Sequence, residues 1–386
     1  MPESRNNPLA FIAQGHLPQT RPSAQPSSKM MPSPEPSPPP WTIRPYQPGD
    51  EQAVVQLFDR AFGHAITEAH WRWKLKHLPS PVENVWLAVH EGQPIFHYGG
   101  IPCRFHLPTG EQIAMVSVDG MTASDFRRRG VLTHVGRFIY DTWREAGIPF
   151  TLGLPNEQWG SRTKALGWEA LFPFRWLVRP LRPASILAHR LGVPALARLS
   201  PLDAVWNRSW DRFVKPDPTV SVESVEQAGP DFDRLWVACA PDIKVSVVRD
   251  SRWVQWRYLS TPSHDYRVLL ARRAEQPVGY LTYRIKDTPQ VKLGFIAALF
   301  IPHAECKGRA TLLDHALRRM QAEAVEAVFT LAIPKTPLYR AFRRAGFVFS
   351  RGAFTVQMVP LASDLPMELF RTPQNWSLTG GDFDVV

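Results

Sequence analysis

The clearest helical pattern of apolar residues follows a short strand-like run at residues 113–118. After a polar turn and three arginines, apolar positions recur at spacings of three and four: Val131, Leu132, Val135, Phe138, Ile139 and Trp143. This spacing places one apolar stripe along a helix, and Gly147 suits the left-handed residue that often ends one. The pattern therefore predicts a strand, a turn and a helix in immediate succession.

The same kind of pattern predicts alternating helices and strands around this unit. Apolar positions within residues 54–62 predict a helix that Asp50 begins and Gly63 ends. Strands are predicted at residues 41–44, 84–89, 95–101, 150–154 and 168–179, with hairpin turns at residues 91–92 and 108–110. This order predicts the α/β class with a mixed sheet.

The second half of the chain repeats the first half. Trp73, Pro79 and Pro94 correspond to Trp256, Pro262 and Pro277, each pair 183 residues apart. Residues 151–168 lie over residues 330–347 at an offset of 179. Two matched blocks in the same order predict two lobes of one fold. The predicted divisions are a disordered Pro/Ser-rich tail at residues 1–40, a first lobe at 41–180, a linker at 181–218, a second lobe at 219–360 and a C-terminal tail at 361–386.

The linker allows two interpretations. Its arginines and aromatic residues could form a basic amphipathic segment that touches a membrane or a polymer. The alternative, which we favour, is a linker that packs on both lobes.

Composition and charge then narrow the classes of protein. The chain of 386 residues has a formal net charge of +10 and a pI near 9.7, which favours anionic partners such as CoA, nucleic acid, anionic glycans or a membrane surface. Cys103, Cys239 and Cys306 show neither zinc spacing nor a disulfide framework, which favours a reducing compartment. No transmembrane segment or secretory signal is legible, so we predict a cytoplasmic protein. The basic residues form no long stripe, and no nucleic-acid partner is expected.

The arginine turn predicts an anion site. A strand that leads through this turn into a helix gathers unpaired N–H groups and the positive end of the helix dipole around one small volume. Gly130 would let the backbone approach an anion closely, and Arg127, Arg128 and Arg129 add positive charge at the rim. A pyrophosphate suits this volume.

The hexapeptide at residues 127–132 resembles a known loop. Arg127-Arg128-Arg129-Gly130-Val131-Leu132 is similar to the acyl-CoA pyrophosphate loop of the GNAT (GCN5-related) N-acyltransferase superfamily, which reads Gln or Arg, two residues, Gly, one residue, then Gly or Ala. Leu132 departs from the last position. The order of elements in residues 41–180 also resembles that fold, so the resemblance implies two tandem GNAT-like lobes with acyl-CoA, most commonly acetyl-CoA, as co-substrate.

The second lobe departs from this pattern. Its corresponding loop, residues 305–310, has Glu305 where Gln or Arg is expected, and a carboxylate repels a pyrophosphate. We therefore expect the first lobe to bind the cofactor and the second lobe to be degenerate.

The resemblance also implies which residues would form the site. The cofactor contacts would come from Val118 at the strand end, from Arg127, Arg128, Arg129, Gly130, Val131 and Leu132, and from Asn156 after the next strand. Asp119 is the candidate base, although an Asp beside Gly120 could equally organise a turn, and Asp382 could enter from the C-terminal tail. Trp159 stands where the superfamily often has an acidic tyrosine. No cluster of His, Cys and carboxylate residues suggests a metal site.

These observations predict a bacterial enzyme that moves an acyl group, most simply acetyl, from acyl-CoA to a primary amine. An amino sugar or another surface-polysaccharide precursor is the favoured small-molecule or glycan acceptor, because the tail resembles those of GNAT-like proteins encoded with polysaccharide genes. Trp71, Trp73, Trp253 and Trp256 could stack on sugar rings, but their recurrence in both lobes favours core packing. The alternatives are a FemAB-type transferase that takes aminoacyl-tRNA, or a non-catalytic binding protein with two GNAT folds. The oligomeric state stays open.

Overall fold

The computed structural model describes residues 39–155, 159, 162–193, 195, 199, 201–289 and 291–384. The predicted N-terminal tail and Asn156 lie outside these residues, apart from Pro39 and Pro40. The strands are β1 (Thr42–Pro45), β2 (Val85–His90), β3 (Gln93–Leu107), β4 (Gly110–Thr122), β5 (Phe150–Gly153), β6 (Glu169–Pro180), β7 (Val220–Val225), β8 (Ser246–Val247), β9 (Tyr266–Arg273), β10 (Gln276–Asp287), β11 (Lys292–Phe300), β12 (Ala327–Ala332) and β13 (Val348–Pro360).

The helices surround the strands in the chain order expected of a mixed α/β protein. They are α1 (Glu51–Phe62), α2 (Glu68–Lys76), α3 (Val131–Glu145), α4 (Arg162–Ala165), α5 (Pro183–Leu191), α6 (Pro201–Asp211), α7 (Pro230–Cys239), α8 (Ser251–Val254), α9 (Cys306–Ala322), α10 (Pro337–Arg344) and α11 (Met367–Arg371).

Within the described residues the strands join into one mixed sheet. Its order is β1-β2-β3-β4-β5-β13-β6-β12-β11-β10-β9-β7, and β8 pairs with β3. Pairs β4–β5 and β11–β12 are parallel, whereas the hairpins are antiparallel. The predicted α/β class with a mixed sheet is confirmed.

The central strand, turn and helix also form as the pattern predicts. Helix α3 begins after Gly130, whose φ of 83° is left-handed, and Gly147 follows its end with a φ of 78°. Strand β4 differs from the prediction because it continues through Asp119 and Gly120 to Thr122, where the sequence suggested a turn.

The hairpins β2–β3 and β9–β10 have the same register and the same irregularity. Val85 pairs with Gly99, and 183 residues later Val268 pairs with Thr282. Each first-half pair at the bulge recurs at that offset: Ala88 with Phe96 as Ala271 with Gly279, and Val89 with Pro94 as Arg272 with Pro277.

The last strand of each half lies in the other half's part of the sheet. Strand β13 pairs with β5 on one side and β6 on the other, and β6 pairs with β12. Neither β5 nor β12 pairs with the final strand of its own half. The halves are therefore joined by exchanged strands as well as by the linker.

The tryptophans considered for sugar stacking are core residues. Trp73 Nε1 donates to Trp256 O at 2.9 Å, and Trp256 Nε1 donates to Trp73 O at 3.1 Å, while the two rings stack. Trp71, Trp73, Trp253 and Trp256 are all buried in the apolar cluster that both halves share.

The linker packs on the second half. Arg179 is buried at the end of β6, and its guanidinium contacts Asp211 at 2.8 Å and Ala345 O at 2.7 Å. A Cβ on Gly346 would lie 2.7 Å from the ring of Trp210. Several apolar side chains of α5 and α6 nevertheless face solvent, among them Leu191, Leu202 and Val205.

The C-terminal segment is folded as far as residue 384. Helix α11 and two 3-10 turns, Pro373–Asn375 and Gly380–Asp382, follow β13. Phe370, Trp376, Leu378 and Phe383 are buried in the core that the two halves share. This segment therefore contributes to the fold.

Candidate active site

A cleft opens where β4 and β5 separate. The two strands pair only at Met115 with Thr151 and Val116 with Leu152. Beyond these pairs β4 runs on to Thr122, whereas β5 ends at Gly153. A cavity of about 860 Å³ fills the space, between the free part of β4, the end of β5, the start of α3, the end of α1 and the C-terminal segment.

The rim of this cavity suits an anion. The N–H groups of Val131, Leu132 and Thr133 lie in the first turn of α3, where no helical carbonyl can accept from them, and no side chain caps this turn or adds a carboxylate to it. All three residues line the cavity. Gly130 and Arg128 both have left-handed backbones, which turns the chain sharply into the helix.

Cationic side chains add to this rim. Arg127 and Arg128 line the cavity, and so does Arg162 from α4. Arg129 does not line it, and its guanidinium lies over the ring of Phe126 at 5.3 Å. Of the predicted cofactor contacts, the structure thus brings together Val118, Arg127, Arg128, Gly130, Val131 and Leu132, while Asn156 lies outside the described residues.

A β-bulge shapes the middle of the cleft. His97 pairs with Met121 and Gly99 with Val118, so β4 carries one extra residue at Asp119 and Gly120. Asp119 has a φ of 51°, a left-handed conformation that Asp tolerates better than most residues. A Cβ on Gly120 would lie 2.5 Å from the Trp159 ring, so a side chain at this position would displace the indole.

A buried histidine holds the bulge in place. His97 Nδ1 lies 2.9 Å from the Asp119 carbonyl, which can only accept, so Nδ1 carries the hydrogen. Trp71 Nε1 donates to His97 Nε2 at 3.2 Å, which fixes the same neutral tautomer. Burial lowers the pKa of His97 and keeps the ring neutral.

Three charged side chains meet at the cavity wall beside the bulge. Lys74 Nζ lies 2.7 Å from Asp119 Oδ2 and 2.8 Å from Asp384 Oδ2. The Lys74 and Asp119 side chains are buried, whereas the Asp384 side chain is 33% exposed. Both carboxylates line the cavity. With one ammonium between two carboxylates, the cluster has a net charge of −1.

The contacts set the protonation of this cluster. Burial alone would lower the pKa of Lys74, but the charges of Asp119 and Asp384 outweigh it and raise that pKa. Burial opposes the charged form of Asp384, yet the Lys74 ammonium holds the pKa of Asp384 below its usual range. Lys74 is therefore a cation at physiological pH and does not serve as a base.

Asp382 has a different environment from Asp384. It is buried, its Oδ2 contacts Arg249 Nη2 at 2.5 Å and accepts from Thr379 N at 2.6 Å, and its Oδ1 accepts from Arg249 Nε at 3.2 Å. It does not line the large cavity. This full set of structural partners argues against the catalytic role that the sequence suggested for Asp382.

The C-terminal segment lies in the second half where the first half has its cleft. The 3-10 turn Gly380–Asp382 packs against β11 and β12, the counterparts of β4 and β5. Arg257, the counterpart of Lys74 at the offset of 183, donates to Gly381 O at 2.7 Å and to Phe383 O at 2.9 Å. The second half thus positions the segment that delivers Asp384 to the first cleft.

The loop of the second half contains its own neutralising contact. Both Glu305 oxygens accept from Arg273, at 2.8 and 3.0 Å. This bidentate pair lies at the start of α9, where a pyrophosphate would bind if this half used the superfamily's loop.

Sequence reasoning missed Lys74, Arg162 and Asp384 as cavity residues. For Lys74 a signal was available, because Trp73-Lys74 and Trp256-Arg257 repeat a basic residue after a tryptophan. For Asp384 the clue was only its place two residues after Asp382. Arg162 had no signal in the sequence.

Two further findings concern the described part of the chain. Among those residues, no group of three or more His, Cys, Asp or Glu side chains could hold a metal ion. Each described helix is too short or too polar to cross a bilayer.

Comparisons with known proteins agree with this geometry. Residues 42–171 match the family described as Acetyltransferase (GNAT) domain. The fold is similar to that of a GCN5-related N-acetyltransferase from Anabaena variabilis ATCC 29413, with a TM-score of 0.61 and 11% identity over 83% of this chain and 73% of that one. It is also similar to a GCN5-related N-acetyltransferase from Kribbella flavida, with a TM-score of 0.56 and 14% identity over 83% and 72%. No curated protein matches the chain in sequence.

Proposed function

Because residues 42–171 form an acetyltransferase (GNAT) domain, we propose that this protein transfers an acyl group from acyl-CoA, most simply acetyl-CoA, to a primary amine. The observation that carries the proposal is the cleft between β4 and β5, with an anion-binding rim at one end and a carboxylate cluster at its wall. The chain would act as two tandem GNAT-like lobes, residues 41–180 and 219–360, of which the first binds the cofactor.

The residues at the rim fit the pyrophosphate of CoA. The free N–H groups of α3, the positive end of its dipole and the side chains of Arg127, Arg128 and Arg162 all favour a dianionic group. The pantetheine arm would then lie between β4 and β5. CoA supplies the acyl thioester, and the protein positions it and the amine.

The carboxylate cluster suits the acceptor. Its net charge of −1 would attract the ammonium form of the amine, and Asp119 would take the proton that frees the nitrogen lone pair. Asp384 has a lowered pKa and is the weaker base, so we assign it to hold the amine. The nitrogen attacks the acyl carbon, the C–N bond forms, and the C–S bond breaks with its electron pair moving to sulfur.

The bulge offers donors for the oxyanion that forms in this reaction. Asp119 and Gly120 lie outside the regular pairing of β4 with β3, so their N–H groups are candidates to face the acyl oxygen. An amino sugar or another polysaccharide precursor remains the acceptor that we would test first, in a bacterial cytoplasm.

The experiment is thermal unfolding with and without acetyl-CoA. A ligand that binds only the folded state raises the midpoint by mass action. We expect a rise in the natural protein and its loss in Gly130→Glu, which adds a carboxylate at the rim. Gly147→Glu is the matched control, because Gly147 has the same left-handed φ at the other end of α3 and open space around it.

The two variants separate strain from charge. Both substitutions place a side chain at positive φ and lower stability by a similar amount. Only Gly130→Glu should abolish the acetyl-CoA shift. An unchanged midpoint of the natural protein at millimolar acetyl-CoA would refute the proposal, and an amine screen follows a positive result.

A further inference from the structure

Four hydrogen-bonding side chains form a chain from the cavity wall into the core of the first half. Ser117 Oγ lies 2.7 Å from Tyr98 Oη, and Tyr98 Oη lies 2.7 Å from Tyr140 Oη. Trp168 Nε1 donates to Tyr140 Oη at 3.0 Å. Tyr98, Tyr140 and Trp168 are buried, and Ser117 lines the cavity.

These four side chains have one hydrogen more than their contacts use. Three hydroxyls and one indole carry four hydrogens, while the chain has three contacts. The indole can only donate, so its hydrogen stays with Tyr140. Burial raises the pKa of Tyr98 to about 12, so this phenol keeps its hydrogen at physiological pH. One hydrogen therefore needs an acceptor outside the chain.

Ser117 is the place where such an acceptor fits. It is the one hydroxyl of the four residues that lines the cavity. Without an outside acceptor its hydroxyl donates to Tyr98. An acceptor beside Ser117 lets the hydrogen bonds run from Trp168 through Tyr140 and Tyr98 to Ser117 and then into the cleft, with every hydrogen used. Aligned hydrogen bonds of this kind strengthen one another.

The second half lacks this chain. Leu281 lies 183 residues after Tyr98, and Phe347 corresponds to Trp168 in the matched block. Ile296 pairs with Tyr283 as Ser117 pairs with Gly100. Leu317 stands three residues before Met320, whose carbonyl accepts from Val325 as that of Trp143 accepts from Ile148, so Leu317 corresponds to Tyr140. None of these four side chains forms hydrogen bonds.

The fold therefore does not require the polar chain. It occurs in the half that has the cleft, and apolar side chains replace it in the half whose corresponding space holds the C-terminal segment. A buried polar network costs desolvation, which favours a role in the cleft for the one that is present.

Ser117 also lies at the closed end of the cleft. It follows Val116, the last residue of β4 that pairs with β5, and a Cβ on Gly153 would lie 3.5 Å from Ser117 Cβ. The arginine rim is at the other end of the free part of β4. A molecule anchored at the rim and extended between the strands would bring its far end to Ser117.

We propose that the Ser117 hydroxyl donates a hydrogen bond to the thioester sulfur and to the thiolate that leaves, with Tyr98 and Tyr140 as positioning residues. This inference rests on the proposed function. When the C–S bond breaks, its electron pair moves to sulfur, where the hydrogen bond stabilises the charge. The amine ammonium loses two protons in all: one passes through Asp119 to solvent, and the other ends on sulfur as the CoA thiol.

The test titrates the thiol of CoA bound to the protein, followed by the ultraviolet absorbance of the thiolate. We expect Ser117→Ala to raise the pKa of the bound thiol. Its affinity for CoA relative to desulfo-CoA, at a pH where the thiol is ionised, should fall about tenfold or more, as the loss of a hydrogen bond to an anion predicts. Ser117→Thr keeps the hydroxyl and should restore both values.

Tyrosine variants test the rest of the chain. Tyr98→Phe should shift the thiol pKa in the same direction by a smaller amount, because Ser117 then loses the group that orients it. Tyr280→Phe is the matched control, since Tyr280 is a fully buried tyrosine in the second half. It should leave the thiol pKa unchanged.

The outcomes distinguish this inference from the function beneath it. If neither CoA nor desulfo-CoA binds the natural protein, the proposed function fails. If both bind and Ser117→Ala changes neither the thiol pKa nor the ratio of affinities, the function stands and Ser117 has no role at sulfur. Unchanged affinity for desulfo-CoA in Ser117→Ala shows that the variant is folded.

Discussion

Asp382 and Asp384 lie two residues apart in the chain but have unlike surroundings. Asp382 is buried against Arg249 and caps the turn that begins at Thr379. Asp384 contacts Lys74 at the cavity wall and is partly exposed. A buried carboxylate with several partners stabilises the fold, whereas one at a cavity wall is available to a substrate.

Asn substitutions at these two positions should therefore have opposite effects. Asp382→Asn removes one member of a buried ion pair, so we expect a loss of several kcal/mol, on the order of 3–5, in the free energy of unfolding. Asp384→Asn should leave the unfolding midpoint nearly unchanged and reduce turnover at least tenfold. Thermal unfolding and steady-state assays measure both, and a stable Asp382→Asn protein with no activity would contradict this assignment.

The C-terminal segment is held at the site by an ion pair whose strength depends on pH. The pKa of Asp384 is lowered, so its contribution is present above the unfolded value near pH 4 and is lost as the pH falls through the folded pKa. The pKa of Lys74 is raised, so its contribution is present below about pH 10 and is lost as the pH rises through the folded pKa.

The difference in unfolding midpoint between the natural protein and Asp384→Asn should follow this window. We expect a nearly constant difference between about pH 5 and 9 that shrinks as the solution becomes more acidic. Differential scanning calorimetry across pH measures it. A difference that grows on acidification would show that Asp384 does not depend on Lys74.

At the level of elements, the sequence predicts what local spacing determines. The apolar stripe of α3, the glycines at both of its ends and the hairpin at Glu91-Gly92 depend on neighbouring residues, and each appears in the structure. The bulge at Asp119 was not predicted, because it depends on the register of β4 against β3 and on the distant His97.

At the level of the whole molecule, the offset of 183 predicted the shared hairpin register but not the exchange of final strands. Strands β6 and β13 have similar apolar patterns, and either one could complete either half by local rules. The choice depends on the pairing of β6 with β12 and of β13 with β5, which are separated by most of the chain. The place of Asp384 was likewise set by contacts with Lys74 and Arg257 that no local pattern records.

The exchange of strands predicts that the halves fold only together. A protease site placed between residues 193 and 201 should yield two fragments that stay associated, because β13 lies beside β5 and β6 lies beside β12. Each fragment expressed alone should fail to unfold cooperatively, whereas the two expressed together should regain the folded midpoint. A first fragment that unfolds cooperatively and binds acetyl-CoA without the second would contradict this prediction.

The position of β13 also sets an order on synthesis. The chain leaves the ribosome from its N-terminus, so the outer edge of β5 has no partner until residues 348–360 have been made. Lys74 then waits for Asp384, which is among the last residues translated. A nascent chain thus carries the arginine rim long before it can have a complete catalytic centre, and competence arrives only when translation is almost finished.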